Sequence, residues 1–97
     1  MRQLRQTPRA RSDLIEIWLY IGADSPAAAD AVLDGIAQRL DRLVGYPLSG
    51  LKREDIAPGV RQLVAGRYLV FYRVNDEAVE VLRVLHGMRR LDPEDIA

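Results

Sequence analysis

The sequence predicts an α+β domain in which a two-helix antiparallel hairpin packs on one face of a small, mainly antiparallel sheet. Two observations carry that prediction. Residues 67–74 and 78–86 are rich in Val, Tyr, Phe and Leu, and the polar break Asn75-Asp76-Glu77 between them supplies turn chemistry, so the stretch reads as a β-hairpin. Thr7-Pro8 and Ser25-Pro26 each place an N-cap hydroxyl before a proline suited to the first helical position. Apolar residues at helical spacing follow each cap, and a link of only about three residues makes the second helix fold back on the first.

In chain order, Arg2 to Gln6 is short and polar with Leu4 as its one apolar residue, which suits an edge strand. The first helix is predicted from Pro8 to Ile21. Ala10, Leu14, Ile17, Trp18 and Ile21 form its stripe, and Gly22 stops it. Asp13 and Glu16 fall on the other side; paired carboxylates can do acid–base chemistry, but a solvated face is the ordinary expectation. In the second helix Ala29, Val32, Leu33, Ile36, Leu40 and Leu43 share one stripe that ends near Val44-Gly45. Ser25 has no base near it in sequence, and capping accounts for it without a nucleophilic role.

Tyr46-Pro47-Leu48-Ser49-Gly50 turns the chain out of the helix, and residues 51–59 read as an irregular loop ending at Pro58-Gly59. Lys52 and Arg53 sit there beside Glu54 and Asp55 without a glycine-rich cradle, as solvated charge. A strand over 60–64 and a tight Ala65-Gly66 closure complete an antiparallel meander of the last three strands. After Gly87 the tail is short, and Pro93 can start only a brief helical turn.

Alternation assigns the faces of the long hairpin. Tyr68, Val70, Tyr72 and Val74 point one way and Leu69, Phe71 and Arg73 the other. On the second strand Val79, Val81 and Leu85 group with Arg83, and Leu82 and Val84 with Glu80 and His86. A sheet apolar on both faces needs two covers, and the helices supply one. Only a mostly polar loop and tail are left for the second. The expectation is therefore an exposed apolar patch of Leu69, Phe71, Leu82 and Val84, with Arg73, Arg89 and Arg90 at its margins. Such a surface would take apolar side chains of a partner, with carboxylates reaching the arginines.

At 97 residues the chain is read as one domain, 1–97, large enough for a single core. With no cysteine it has no disulfide, no thiolate nucleophile and no Cys-containing zinc site. His86 is the one histidine, so no metal site is expected, and no cofactor motif is present. No apolar run approaches the roughly 20 residues of a membrane span, and no signal-peptide pattern opens the chain. A soluble, cytoplasmic protein without membrane contact is expected. Fourteen basic and fourteen acidic residues cancel, so no overall field would hold a nucleic-acid backbone, and sequence-specific nucleic-acid binding is not expected. The charge is uneven nonetheless: residues 10–44 carry an acidic excess, and 60–90 a basic one. Trp18, Tyr68 and Tyr72 are read as core or partner-contact residues rather than base-stacking platforms.

A family resemblance rests on several stretches together. Thr7-Pro8-Arg9-Ala10 with Asp13-Leu14 and Ile17-Trp18-x-Tyr20-Ile21 is the first, followed by Pro26-Ala27-Ala28-Ala29 and Pro47-Leu48-Ser49-Gly50. Gly66-Arg67-Tyr68-Leu69-Val70-Phe71-Tyr72-Arg73-Val74 and Val84-Leu85-His86-Gly87-x-Arg89 complete the set. In order and spacing they resemble ParE toxins of the RelE/ParE superfamily of bacterial type II toxin–antitoxin modules, over nearly the whole chain. The resemblance implies a RelE/ParE-like fold and a ParD-like antitoxin, bound as a hetero-oligomer, whose disordered C-terminal part folds onto the toxin. For the ParE branch it implies DNA gyrase as target, poisoned by binding and without catalytic residues. The superfamily's RelE branch instead cleaves mRNA on the ribosome, with basic residues on the strands and an aromatic or histidine acid–base near the C-terminus. Here Leu69 stands at the strand position where that branch often has Arg, and no Tyr follows Arg89. His86 and Arg89 are the residues a nuclease reading would use, although a lone strand histidine is more often structural.

Overall fold

A computed structural model describes residues 2–88 and 92–96. The elements are β1 (Gln3–Gln6), α1 (Pro8–Gly22), α2 (Pro26–Gly45), β2 (Leu51–Lys52), β3 (Arg61–Ala65), β4 (Tyr68–Val74) and β5 (Ala78–His86), followed by a 3-10 turn at Pro93–Asp95. Among the described residues the strands form one sheet in the order β1-β5-β4-β3-β2, antiparallel except that β1 runs parallel to β5. The predicted architecture is present, with the helical hairpin on one face. Two boundaries differ from expectation. Within the stretch expected to be irregular, Leu51–Lys52 pairs with Arg61 and Gln62, and β3 begins at Arg61 rather than at residue 60.

Both helices start on the predicted caps. The Thr7 hydroxyl accepts from Ala10 N–H (3.1 Å), and the Ser25 hydroxyl accepts from Ala28 N–H (3.1 Å). Thr7 also donates through Oγ1 to the Leu82 carbonyl (2.9 Å), which fixes the start of α1 against β5. In the β3–β4 turn Gly66 has φ of 61°, and the pairing of Ala65 with Tyr68 closes a two-residue loop that needs such a residue first. In the β4–β5 turn the Asn75 side-chain oxygen accepts from the N–H groups of Glu77 and Ala78, both at 2.8 Å.

Between helices and sheet lie Ala10, Ile36, Leu40, Leu43, Leu63, Val70, Tyr72, Val79, Val81 and Val84, all buried. Tyr72 extends furthest along this layer: its hydroxyl donates to the Pro47 carbonyl and accepts from Gly50 N–H, both at 2.9 Å. Burial raises the pKa of this phenol. A β-carbon at Gly50 would collide with the Tyr72 hydroxyl, so the turn after α2 can come this close only with glycine. Trp18, expected in the apolar stripe, stays outside the core at 38% exposure. Its indole N–H donates to Asp30 Oδ1 (2.8 Å) and clasps the two helices together.

The second face departs most from expectation. Phe71 is 0% exposed and Leu82 7%, in a second core with Val60, Leu85 and Ile96, against which Ile56, Ala57 and half-buried Leu69 pack. The cover comes from the loop after β2 and from the C-terminal segment. Arg53 N–H bonds Val60 O (2.8 Å) and Val60 N–H bonds Ala57 O (3.2 Å), so the loop folds back on itself and turns Ile56 and Ala57 inward. A loop with a polar composition thus presents its few apolar residues on one side. The open patch proposed for Leu69, Phe71 and Leu82 is already closed by the chain itself.

Val84 moves to the helical side for a different reason. Phe71 pairs with Arg83 and Tyr72 with Val81, so Leu82 is an extra residue, a β-bulge. Beyond it the alternation resets, which places Val84 in the helix-side core and Leu85 on the second face, the reverse of the strict period-two assignment.

Asp13 is the other correction. Glu16 is exposed as expected, but Asp13 is buried and forms a bidentate pair with Arg83: Nε to Oδ2 at 2.7 Å and Nη2 to Oδ1 at 2.9 Å. Val84 N–H also donates to Asp13 Oδ2 (3.0 Å), and Arg83 Nη1 donates to the Asp95 carbonyl. The hydrogen bond from Arg83 to Asp13 raises the guanidinium pKa, which keeps it charged although buried.

Two stability outcomes follow. Asp13→Ala strands the buried guanidinium and the Val84 N–H, and should cost about 3–5 kcal/mol in urea unfolding, whereas Asp13→Leu combined with Arg83→Met should recover only the part due to the stranded charge, since the Val84 N–H still lacks its acceptor. Phe71→Asp should prevent folding of the isolated chain, and Phe71→Ala should cost about 3–5 kcal/mol, both visible by circular dichroism. A folded, undiminished Phe71→Asp variant would contradict the closed second core.

Candidate functional site

With the second face closed, a concavity lies between the helices and the ends of the central strands. Tyr20 and Ile21 of α1, Ala31, Val32, Gly35 and Ile36 of α2, the β3–β4 turn at residues 65–68, and His86 at the end of β5 enclose about 660 Å³. A neighbouring hollow of about 470 Å³ shares Tyr20, Tyr68 and His86 and extends to Asp13, Glu16 and Ile17. The two form one groove between α1 and the end of β5.

Local sequence positions each wall. Tyr68 and His86 are a cross-strand pair on the outermost rung of β4–β5, so their rings meet edge to face with centroids 5.4 Å apart. His86 Nδ1 accepts from Met88 N–H (3.1 Å), and Gly87 N–H bonds Arg67 O (2.8 Å), which ties the end of β5 to the β3–β4 turn. With Nδ1 accepting, a neutral His86 carries its proton on Nε2. Gly35 lowers the helical wall: nothing lies within 4 Å of where its β-carbon would be.

Beside the groove, α1 presents Ile15 at 56%, Leu19 at 59% and Tyr20 at 82% exposure. These side chains fall off the buried stripe of α1, so a helix that needs one apolar face shows a second. That mismatch is visible in sequence, as is a glycine inside α2, yet neither Tyr20 nor Gly35 belongs to the predicted site.

The sequence-predicted site residues are dispersed. Leu69, Phe71 and Leu82 belong to the second core, and Val84 to the first. Arg73 is exposed and donates from Nε to the Pro58 carbonyl (3.2 Å), against the covering loop. Arg89 and Arg90 lie outside the described residues. Of the described members of that set, His86 and Val84 line the groove. Among the described residues no group of three or more His, Cys, Asp and Glu side chains is arranged to hold a metal ion, and no helix is long and apolar enough to cross a membrane.

Residues 4–91 match the family model described as ParE toxin of type II toxin-antitoxin system, parDE. The chain belongs to the ParE toxin family. Toxin ParE1 of Mycobacterium tuberculosis (strain H37Rv) is 36% identical over 91 residues, spanning 89% of this chain and 90% of that one. Toxin RelE3 of Caulobacter vibrioides is 30% identical over 94 residues, spanning 93% and 99%. A toxin fold solved in a chromosomal ParDE system from P. aeruginosa superposes with a TM-score of 0.75 at 26% identity, covering 89% of this chain and 96% of that one. The ParE family thus accounts for the hairpin-on-sheet architecture, and in this ParE-like chain large apolar and aromatic side chains are exposed on α1, at Ile15, Trp18, Leu19 and Tyr20, and also after α2, at Tyr46, Leu48 and Leu51.

Proposed function

We propose that this type II toxin acts by binding DNA gyrase, without breaking a bond itself, and that a ParD-like antitoxin neutralises it. The observation that carries the reading is the α1 surface. Ile15, Leu19 and Tyr20 offer large side chains to a macromolecular partner on a convex helix rather than inside a water-excluding cavity. The ParE-family match over residues 4–91 points the same way. So does Leu69, which packs toward the second core instead of presenting a basic group to the groove.

A second reading draws on a different observation. Arg67, Tyr68, Tyr20 and His86 share one groove, and a relative named as a RelE toxin covers nearly the whole chain. A cation, two phenols and an imidazole are a set that RNA cleavage could use.

Expression in bacteria should cause filamentation and a DNA-damage response. Purified toxin should convert supercoiled DNA to a linear form only when gyrase is present and protein is then denatured. Tyr20→Ala, at an exposed position, should change stability by no more than about 0.5 kcal/mol yet reduce the linear product. Growth arrest with unaltered gyrase activity would reject the proposal. Codon-aligned mRNA cleavage that is lost in His86→Ala would put the second reading in its place.

A further inference from the structure

The far side of α2 carries a feature the gyrase reading does not use. Val60 O accepts from Arg53 N–H, on the β2 side of the sheet. Backbone groups alternate along a strand, so Gln62 and Val64 direct their N–H and C=O the same way. Pairing with β2 stops at Leu51 opposite Gln62. Among the described residues, therefore, no strand pairs with the N–H and C=O of Val64, which lie at an open edge, and its side chain is 54% exposed.

Two hollows flank this edge along α2. Toward the β3–β4 turn is the groove floored by Val32, Gly35, Ile36 and Ala65. In the other direction, Arg39, Arg42, Leu43, Tyr46, Ser49 and Leu63 enclose about 250 Å³. Ala65 and Leu63 are two residues apart on β3, roughly 7 Å, so one seam runs between α2 and β3 past both hollows. The second hollow is cationic. Arg39 Nε is buried and, among the described residues, has no hydrogen-bond partner. Arg42 lies beside it in the last turn of α2. The exposed carboxylates of α2, Asp30, Asp34 and Asp41, line neither hollow.

A buried guanidinium N–H without a partner among the described residues, next to a second arginine, a phenol and a serine hydroxyl, offers a set of donors to a carboxylate. An apolar hollow one strand-step away, with an open strand edge between, suits an extended chain whose alternating residues face opposite ways. We propose that the α2–β3 seam takes an extended stretch of the antitoxin, pairing with Val64, with an acidic side chain on Arg39 and Arg42 and an apolar one against Gly35. This rests on the antitoxin reading above.

The test uses the 97-residue chain co-expressed with a ParD-like antitoxin. Arg39→Gln with Arg42→Gln should weaken the complex about 30-fold or more and reduce its salt dependence. Gly35→Gln should weaken it at least roughly tenfold while leaving the thermal midpoint of the free toxin unchanged or raised, because glutamine favours helix more than glycine does. Arg73→Gln, on the opposite face, should stay within about threefold. The Val64 amide should become protected from hydrogen exchange on complex formation. Absence of any complex would overturn the antitoxin reading and this proposal with it. A complex that forms with wild-type affinity in the arginine double variant, or that leaves Val64 exchange unchanged, would overturn this proposal alone.

Discussion

The carboxylate of Asp13 is the point on which the two layers depend. Along the outer edge of β5 the backbone groups must be satisfied from residue 78 to 86, yet β1 reaches only to Val81. Thr7 continues the work beyond the strand: its N–H bonds Val81 O (3.0 Å) and its hydroxyl bonds Leu82 O. Asp13, almost two helical turns on, takes the Val84 N–H. Strand, cap and helix thus cover one edge in succession, and the charge this brings inside is matched by Arg83. The guanidinium is oriented in turn by the Asp95 carbonyl, so a single ion pair joins α1, β5 and the C-terminal segment. A buried pair of this kind contributes little over a well-packed apolar substitute, but losing one partner is costly. Its value here is in fixing where α1 lies on the sheet.

The bulge at Leu82 belongs to the same arrangement. An extra residue in β5 turns Leu82 toward Phe71 and the second core, while Arg83 comes opposite Phe71 and Val84 returns to the helical side. Two cores on one sheet then share β4 and β5. Both layers are thin: the first is closed by two helices, and the second by Ile56, Ala57 and Ile96. For a domain of this size, burying both sheet faces moves the exposed apolar side chains to α1, to the turn after α2 with β2, and to the edge at Val64. Those are the places where a partner can be met without disturbing the fold.

Local chemistry made much of this architecture legible. Thr7-Pro8, Ser25-Pro26, Gly66 and Asn75 each act within a few residues of themselves, and each does in the structure what its residue type does in isolation. The site was less legible because its determinants are not local. Asp13 looks like a surface carboxylate until Arg83, 70 positions away, is brought beside it. Strict alternation misplaced Val84 because a bulge has no fixed residue signature in the chain. A polar average concealed the cover over Phe71, since it depends on the direction of three side chains rather than on composition. The off-stripe residues Ile15, Leu19 and Tyr20 were the available clue to function, and they were visible only as a surplus of apolar residues on a helix whose buried face was already complete.

The parallel pairing of β1 with β5 joins Gln3 to Ala78, the first strand to the last. During synthesis the helical hairpin, built from near neighbours, can form early. The sheet beneath it cannot be completed until residues 78–86 have left the ribosome, and the second core waits longer still, for Ile96. Contacts so distant in sequence slow folding relative to local ones. A growing chain of this kind therefore passes most of its synthesis without its finished surface, which closes only once β5 has paired with β1 and Ile96 has joined the second core.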